Sequence, residues 1–390
     1  MKKTKFAILL TAVLALTVIL ASCEPAQENT LTVSDVKVYL NGDAVSLNPT
    51  FSGKTEAISY EYDESALEIL NGKVKGLKEG EFQVTAKSKS CETTFTVTCV
   101  LPLKIADLYA WVGYPASDIS PVVNVDGDAK VKYTTTSDII SIEGNYVTAL
   151  KTGNAEVTAE IDGYTTTFAV TCRAVDRSDP KYYYVFPNGA DWGWRQKAQQ
   201  RRAEYNQKGT DGKTTVFIGD SFFDIDFFLS FYSFYPSADY DALCHGIGGT
   251  TSNTWEMMLD DYFDGINPKN AVVQLGNNNY YNDSATVEEV TEDLQRFFTY
   301  LHGKMPDTQI YYFAITPRIT AMELQSTQVK QINKKMGEYC AAKDWVVFLD
   351  TTEQMTSDLN WTADNVHPKP EKYQIFVNAL AEAGMTVENK

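Results

Sequence analysis

The residue best placed to act as a nucleophile is Ser221. It follows a β-rich run from Thr214 to Ile218 and a glycine, Gly219, so the pattern places it at the carboxyl end of a strand and at the start of a helix. Open α/β sheets bind their ligands at this edge. Small polar residues also occupy such turns as caps, so Gly-Asp-Ser alone is a weak signal for catalysis.

A base for this serine is offered near the end of the chain, in Asp364-Asn365-Val366-His367-Pro368. Pro368 biases His367 away from helical geometry, which predicts a loop just before the last helix. Such a loop can fold the carboxylate of Asp364 back onto imidazole Nδ1 and leave Nε2 facing a serine. An ordinary surface aspartate and histidine in a turn is the alternative.

Donors for a developing oxyanion are offered by two more turns, 248–250 and 276–279, which follow predicted strands. A glycine lets a backbone N–H come close, and an asparagine amide donates where a carboxylate would repel. Both turns are expected at the same sheet edge as Ser221. Together the three turns favour ester hydrolysis by a serine.

The elements that must position these residues alternate between strands and long amphipathic runs from Ala174 onward, which predicts a doubly wound, three-layer α/β domain. A lead-in helix is expected over 192–207. The predicted strands are 214–218, 242–247, 271–275, 309–315 and 345–349, and the predicted helices lie near 252–263, 286–303, 323–342 and 370–384.

The motifs of this half resemble those of the SGNH/GDSL hydrolase family, in particular its platelet-activating-factor acetylhydrolase branch. They are FIGDS (217–221), GIGGTT (246–251), PKNAVVQLGNNN (268–279), TPR (316–318) and DNVH (364–367). The resemblance implies a flavodoxin-like domain over 174–390 with Ser221 as nucleophile and His367 as base, oriented by Asp364. It also implies an oxyanion hole made by the N–H groups of Ser221 and Gly249 and the amide of Asn278.

Other chemistries fit this half less well. The glycines at 246, 248 and 249 do not complete G-x-G-x-x-G, because position 251 is threonine, so a dinucleotide cofactor is not expected. Ser221 lies in no G-x-S-x-G elbow. The chain has 3 histidines and none is at metal-ligand spacing, so we predict neither a metal nor another cofactor.

Residues 31–173 have a different pattern, with β-branched and polar residues alternating between turns. Apolar positions from Ile69 to Cys99 recur from Ile142 to Cys172, a constant offset of 73 residues. LKEGEFQVTAK and LKTGNAEVTAE resemble a strand of bacterial immunoglobulin-like domains of group 2. We therefore predict two all-β sandwiches, 31–100 and 101–173, which act as spacers or as a weak binding surface.

The first 22 residues have the pattern of an export signal, with lysines before an apolar run. Leu20-Ala21-Ser22-Cys23 resembles a lipobox, so Cys23 is the expected lipidation site and 23–30 a tether. An ordinary cleavage site and an uncleaved membrane anchor are the alternatives. We expect a protein in the bacterial cell envelope, facing either the periplasm or the exterior, that contacts the membrane only through this lipid.

The formal charge of −17 argues against nucleic acid as a partner. We predict a serine esterase that removes short O-acyl groups, with acetyl groups on carbohydrate favoured and lipid or other small esters as the alternative. Tyr280, Tyr281 and Trp361 neighbour the catalytic loops and are predicted to contact substrate. A non-enzymatic surface lipoprotein that binds glycan or protein is the competing hypothesis.

Overall fold

The computed structural model describes residues 29–182, 193–208, 215–281, 285–319, 323–358 and 361–385. The chain divides after Pro102 into two compact units. The predicted export signal, Cys23 and most of the tether lie outside the described residues. None of the helices in the described ranges combines the length and the apolarity that crossing a bilayer requires.

The first unit is built from short strands around one apolar core that includes Val38, Val74, Val84 and Phe95. A four-stranded sheet has the order Val36–Tyr39, Glu92–Val100, Gly80–Lys87 and Ser59–Glu61, with its first two strands parallel. A three-stranded sheet has the order Val45–Ser46, Lys73–Gly76 and Leu67–Leu70. Leu31–Thr32 pairs with Thr50–Phe51.

The second unit begins with the same arrangement. Its four-stranded sheet has the order Leu108–Trp111, Tyr164–Arg173, Gly153–Ile161 and Lys132–Thr134, again with the first two strands parallel. Its three-stranded sheet has the order Ser117–Asp118, Tyr146–Ala149 and Ile140–Glu143, and Leu103–Lys104 pairs with Val122–Val123. The sequence repeat therefore corresponds to a repeat of strand order. The immunoglobulin-like assignment stays a prediction.

The rest of the second unit is an α/β domain, as predicted. Its five strands are β1 (Thr215–Gly219), β2 (Ala242–Cys244), β3 (Asn270–Gln274), β4 (Gln309–Phe313) and β5 (Val346–Leu349). They are all parallel, in the order β2-β1-β3-β4-β5. The helices are α1 (Trp194–Lys208), α2 (Ser252–Asp261), α3 (Asn277–Tyr281), α4 (Val287–Lys304), α5 (Glu323–Ala341), α6 (Thr352–Thr356) and α7 (Tyr373–Glu382). Short 3-10 helices occupy Pro180–Tyr182, Phe231–Ser233, Ser237–Tyr240 and Pro370–Lys372.

Two apolar clusters cover the sheet, one on each face. The first joins β1 and β3 to α2, α4 and α5, with Trp255, Phe297 and Met336 fully buried. The second joins Phe217, Phe223 and Phe313 to α7. Every residue of β1 is buried, as expected for the central strand of a sheet covered on both faces.

The predicted helix after Ser221 is wrong. Turns follow β1, and the 3-10 helix Phe231–Ser233 is the first helical element after it. The cause is local: Asp220 Oδ1 accepts the Phe222 N–H and Asp224 Oδ1 accepts the Asp226 N–H. Aspartate side chains that bond to backbone two residues ahead stabilise turns in competition with a helix.

The second β-rich module, residues 103–173, packs on the α/β domain within one compact unit. Tyr114 Oη donates to Glu256 Oε2 at 2.7 Å across this junction. Lys343 Nζ and Trp345 Nε1 both donate to Asp118, to its carbonyl and its carboxylate respectively, each at 3.3 Å. These contacts join the β-rich segment to α2 and to the turn between α5 and β5.

Candidate active site

Ser221, His367 and Asp364 lie together at the carboxyl edge of the sheet. Ser221 Oγ is 2.7 Å from His367 Nε2, and His367 Nδ1 is 2.7 Å from Asp364 Oδ2. Ser221 is partly exposed and His367 is 8% exposed, so the histidine is shielded while the serine keeps part of its surface accessible. The two ring nitrogens thus contact the two groups that a serine–histidine–aspartate triad requires.

The loop that carries the histidine is a tight turn closed on itself. Asp364 Oδ1 accepts the N–H groups of Val366 at 3.0 Å and His367 at 2.7 Å. Asn365 adopts a left-handed φ of 73°, and Ala363 N–H donates to the His367 carbonyl. The carboxylate therefore holds the histidine backbone through one oxygen and its ring through the other.

The electrostatics of this pair favour a neutral imidazole beside an ionised carboxylate. Burial lowers the pKa of His367, and the opposing effect of Asp364 does not reverse this. Burial alone would raise the pKa of Asp364, but hydrogen bonds from His367 and Val366 hold it below its usual value. At neutral pH, Nε2 is accordingly free to accept the serine proton.

Aromatic rings pack against this histidine. Phe227 lies 4.6 Å and Phe222 lies 5.4 Å from the imidazole, measured between ring centroids. Phe228 contacts Phe227 at 5.2 Å and is 75% exposed. The position of this aromatic run directly after Ser221 is the sequence signal that part of it borders the site.

The two predicted oxyanion turns meet beside the serine. Gly249 adopts a φ of +80°, which favours glycine. Asn278 is buried in α3, and its Nδ2 donates to the Thr250 carbonyl at 3.0 Å and to Asp220 Oδ2 at 3.2 Å. A Cβ added to Gly248 would lie 3.8 Å from Ser221 Cβ. The structure brings these residues together, and their roles as oxyanion donors stay predictions.

Asp224, which the sequence analysis did not single out, holds the glycine turn. Its Oδ2 accepts the Gly248 N–H at 2.8 Å and receives Lys197 Nζ at 2.7 Å. Arg201 Nη2 lies 3.6 Å from Oδ1. Asp224 is 1% exposed, and both cations come from α1. A carboxylate can be buried when it is ion-paired and hydrogen-bonded. The cations of α1 therefore hold the Asp224 carboxylate in place, and this carboxylate holds the Gly248 turn.

Asp220, next to the candidate nucleophile, is fully buried. Burial raises its pKa to about 7. It accepts from the Phe222 N–H and from Asn278 Nδ2. Asp220 therefore connects the turn after β1 to α3.

The three predicted substrate-contacting residues are placed differently from one another. Tyr281 is partly exposed, and Arg318 stacks over its ring at 4.4 Å. Tyr280 is 7% exposed and donates to Gln328 Oε1, while Trp361 is 3% exposed in the core cluster beside α7. Burial leaves Tyr280 and Trp361 little surface for a ligand. Contact with substrate stays a prediction for all three.

The ranges that the structure describes contain no cluster of three or more His, Cys, Asp or Glu side chains that could hold a metal ion. The chemistry that the described groups can support is acyl transfer: a nucleophile with a neutral base, an orienting carboxylate and nearby hydrogen-bond donors.

Comparison with known proteins identifies the type of domain. Residues 217–375 match the model of the GDSL-like lipase/acylhydrolase family. The match indicates a GDSL-like lipase/acylhydrolase domain over these residues. No curated protein matches the chain.

Solved structures similar to this chain include three from bacteria. A GDSL-like lipase from Bacteroides thetaiotaomicron has 16% identity and a TM-score of 0.40, with 49% of this chain and 96% of that chain covered. A member of the lipolytic G-D-S-L family from Veillonella parvula has 14% identity and a TM-score of 0.37, with 44% of this chain and 97% of that chain covered. A variant of an acetyl-xylooligosaccharide esterase from Geobacillus Stearmophilus has 17% identity and a TM-score of 0.36, covering 45% and 96%.

Proposed function

We propose that the GDSL-like lipase/acylhydrolase domain of residues 217–375 is a serine-dependent carboxylic ester hydrolase. The observation that carries this proposal is the chain of two 2.7 Å contacts from Ser221 Oγ through the His367 ring to Asp364. A surface aspartate and histidine in an ordinary turn would not meet a serine 146 positions away.

In the proposed reaction, Ser221 Oγ attacks the acyl carbonyl carbon while its proton passes to His367 Nε2. The carbonyl oxygen becomes an oxyanion that the N–H groups of Ser221 and Gly249 and the Asn278 amide stabilise. The C–O bond to the alcohol then breaks, and the imidazolium returns its proton to that alcohol. Water repeats the sequence on the acyl-enzyme, so the carboxylic acid leaves and the serine is restored.

Asp364 contributes by orienting the base. Its contact with Nδ1 keeps the proton of the neutral ring on that nitrogen, so Nε2 has its lone pair toward the serine. When the ring becomes charged, the neighbouring carboxylate stabilises it.

For substrate we propose short O-acyl groups, and acetyl groups on carbohydrate in particular. The exposed ring of Phe228 supports this. It contacts Phe227, which packs on His367, and an aromatic face packs well on the C–H face of a sugar. An enzyme exported behind β-rich modules and lipidated at Cys23 would meet such glycans in the cell envelope. Lipid or other small esters are the second substrate class.

Labelling by a fluorophosphonate probe tests the hydrolase. The full-length wild type should be modified, Ser221→Ala should not be, and the matched control Ser237→Ala should be labelled like the wild type. A folded wild type that resists the probe would contradict the proposal and favour the non-enzymatic glycan- or protein-binding lipoprotein.

Substrate class is tested separately with aryl esters of graded acyl length and with acetate release from acetylated glycans. We expect the acetyl ester to have the highest kcat/KM and the glycans to release acetate in wild type only. A preference for long acyl chains would replace the carbohydrate substrate by lipid.

A further inference from the structure

A cavity of about 380 Å³ lies between the second β-rich module and helices α4 and α5. The residues that line it from the β-rich module and those that line it from the helices all belong to the second compact unit. None of the three triad residues lines this cavity. Junctions between modules are preferred positions for small-molecule sites, which have volumes of about 300–1,000 Å³. The cavity is thus of a size for a small ligand and too small for a folded partner.

Aromatic rings form part of its wall. Tyr109 and Trp111, on the sandwich, stack with centroids 6.3 Å apart at an interplanar angle of 24°. Tyr339, on α5, lines the cavity from the helical side. Flat apolar rings on two sides of a cavity favour a ligand that itself has flat apolar faces.

Two of the lining side chains also carry hydrogen-bonding groups without a partner. Trp111 Nε1 and Ser117 Oγ are buried and make no hydrogen bond to any of the residues described by the structure. Trp111 is 2% and Ser117 is 4% exposed. An indole N–H can only donate, so the missing partner must offer an acceptor. A purely apolar ligand would leave both groups unsatisfied.

The charges on the cavity wall further limit which class of ligand fits. Three lysines and five carboxylates line the cavity: Lys104, Lys335, Lys343, Asp107, Asp118, Glu288, Glu292 and Glu338. This excess of negative charge disfavours an anionic ligand. A cation that lacks an acceptor could not bond to the Trp111 N–H. A neutral molecule rich in hydroxyl groups meets each requirement, because a hydroxyl both donates and accepts.

We propose that this cavity is a saccharide-binding site for one or two neutral sugar rings, separate from the hydrolytic site. Tyr109 and Tyr339 provide the stacking surfaces, Trp111 Nε1 and Ser117 Oγ bond to sugar oxygens, and the carboxylates of the cavity wall accept from sugar hydroxyls. The site is independent of the esterase assignment. It gives the β-rich module a binding role in addition to that of a spacer.

Isothermal titration calorimetry with neutral disaccharides tests this on the full-length Ser221→Ala protein, in which hydrolysis plays no part. The probes are cellobiose, xylobiose, maltose and chitobiose. We expect at least one to bind with a Kd of about 1 mM or tighter. Trp111→Phe, which keeps an apolar ring but removes the N–H, should weaken that binding tenfold or more. Ala342→Trp, which fills the cavity without removing a donor, should do the same.

The matched control is Trp194→Phe. Trp194 is 3% exposed and its Nε1 also has no partner among the described residues, but it does not line this cavity. It should bind the disaccharide within twofold of the parent protein. If Trp111→Phe does not fold, as judged by thermal unfolding, Ala342→Trp decides alone. The proposal is overturned if no probe binds at about 20 mM, or if Ala342→Trp leaves the affinity unchanged.

Discussion

Replacing Asp224 by alanine is the sharpest test of how the oxyanion turn is held. The substitution removes the acceptor of the Gly248 N–H, which lies 2.8 Å away, and the partner of Lys197. An unsatisfied buried N–H costs about 1–3 kcal/mol, so the turn will move to find another acceptor. Gly249, the next residue, is the proposed oxyanion donor and would be displaced with it.

The size of the effect follows from what one donor contributes. Removing an oxyanion donor completely lowers kcat by about 10²–10³-fold. Here the donor remains but is misaligned, so we expect kcat to fall by about 10–100-fold. KM should stay within about threefold, because the interaction is stronger in the transition state than in the bound substrate. Asp224→Asn keeps an acceptor for Gly248 and should lose less activity than Asp224→Ala.

Asp226→Ala is the matched control. Asp226 pairs with the same two cations of α1, with Arg201 at 2.9 Å and Lys197 at 3.8 Å, and is a half-exposed carboxylate. It should retain kcat within about threefold, because its side chain pairs with the cations of α1 and not with the N–H of Gly248. The assay is steady-state hydrolysis of an aryl acetate, with thermal unfolding recorded for each variant. Equal kcat values for Asp224→Ala and Asp226→Ala in folded proteins would refute the positioning role of Asp224.

Two further predictions concern the base and the amide donor. Burial lowers the pKa of His367 and the neutral ring is the active form, so kcat/KM should fall as the pH drops through a value below the ordinary 6.5. Asp364→Asn removes a group that raises this pKa, so the acid limb of the variant's pH profile should move to lower pH while kcat falls. An acid limb that moves to higher pH would contradict the assignment. Asn278→Ala should lower kcat by about 10²–10³-fold with KM nearly unchanged, measured with the same aryl acetate, and a loss of less than about threefold would remove Asn278 from the oxyanion hole.

Much of the α/β domain was predictable because its signals are local. Alternation of apolar runs and amphipathic segments gave the five strands to within a few residues of β1 to β5. Parallel strands end at one edge, so turns that follow strands in sequence must meet in space. That geometry is why Ser221, Gly249 and Asn278 could be grouped from the sequence.

Two of the features that the sequence did not predict depend on contacts between distant segments. The link from Lys197 to Asp224 joins α1 to the turn after β1, and nothing in either segment alone indicates it. Phe227 packs on His367, which lies far along the chain, and its residue type alone does not indicate this contact. The prediction of a helix after Ser221 was wrong for a local reason: two aspartate side chains accept hydrogen bonds from nearby backbone N–H groups, and hydrophobic periodicity does not indicate such bonds.

The junction at Tyr114 and Asp118 bears on how this protein can be divided for expression. A fragment that starts at Ala174, where the sequence pattern changes, would lose the Tyr114 hydroxyl bonded to the fully buried Glu256. It would also remove Asp118, the hydrogen-bond acceptor of Lys343 and Trp345. The natural cut for expressing the α/β domain is therefore after Pro102, with the second β-rich module retained in the same compact unit.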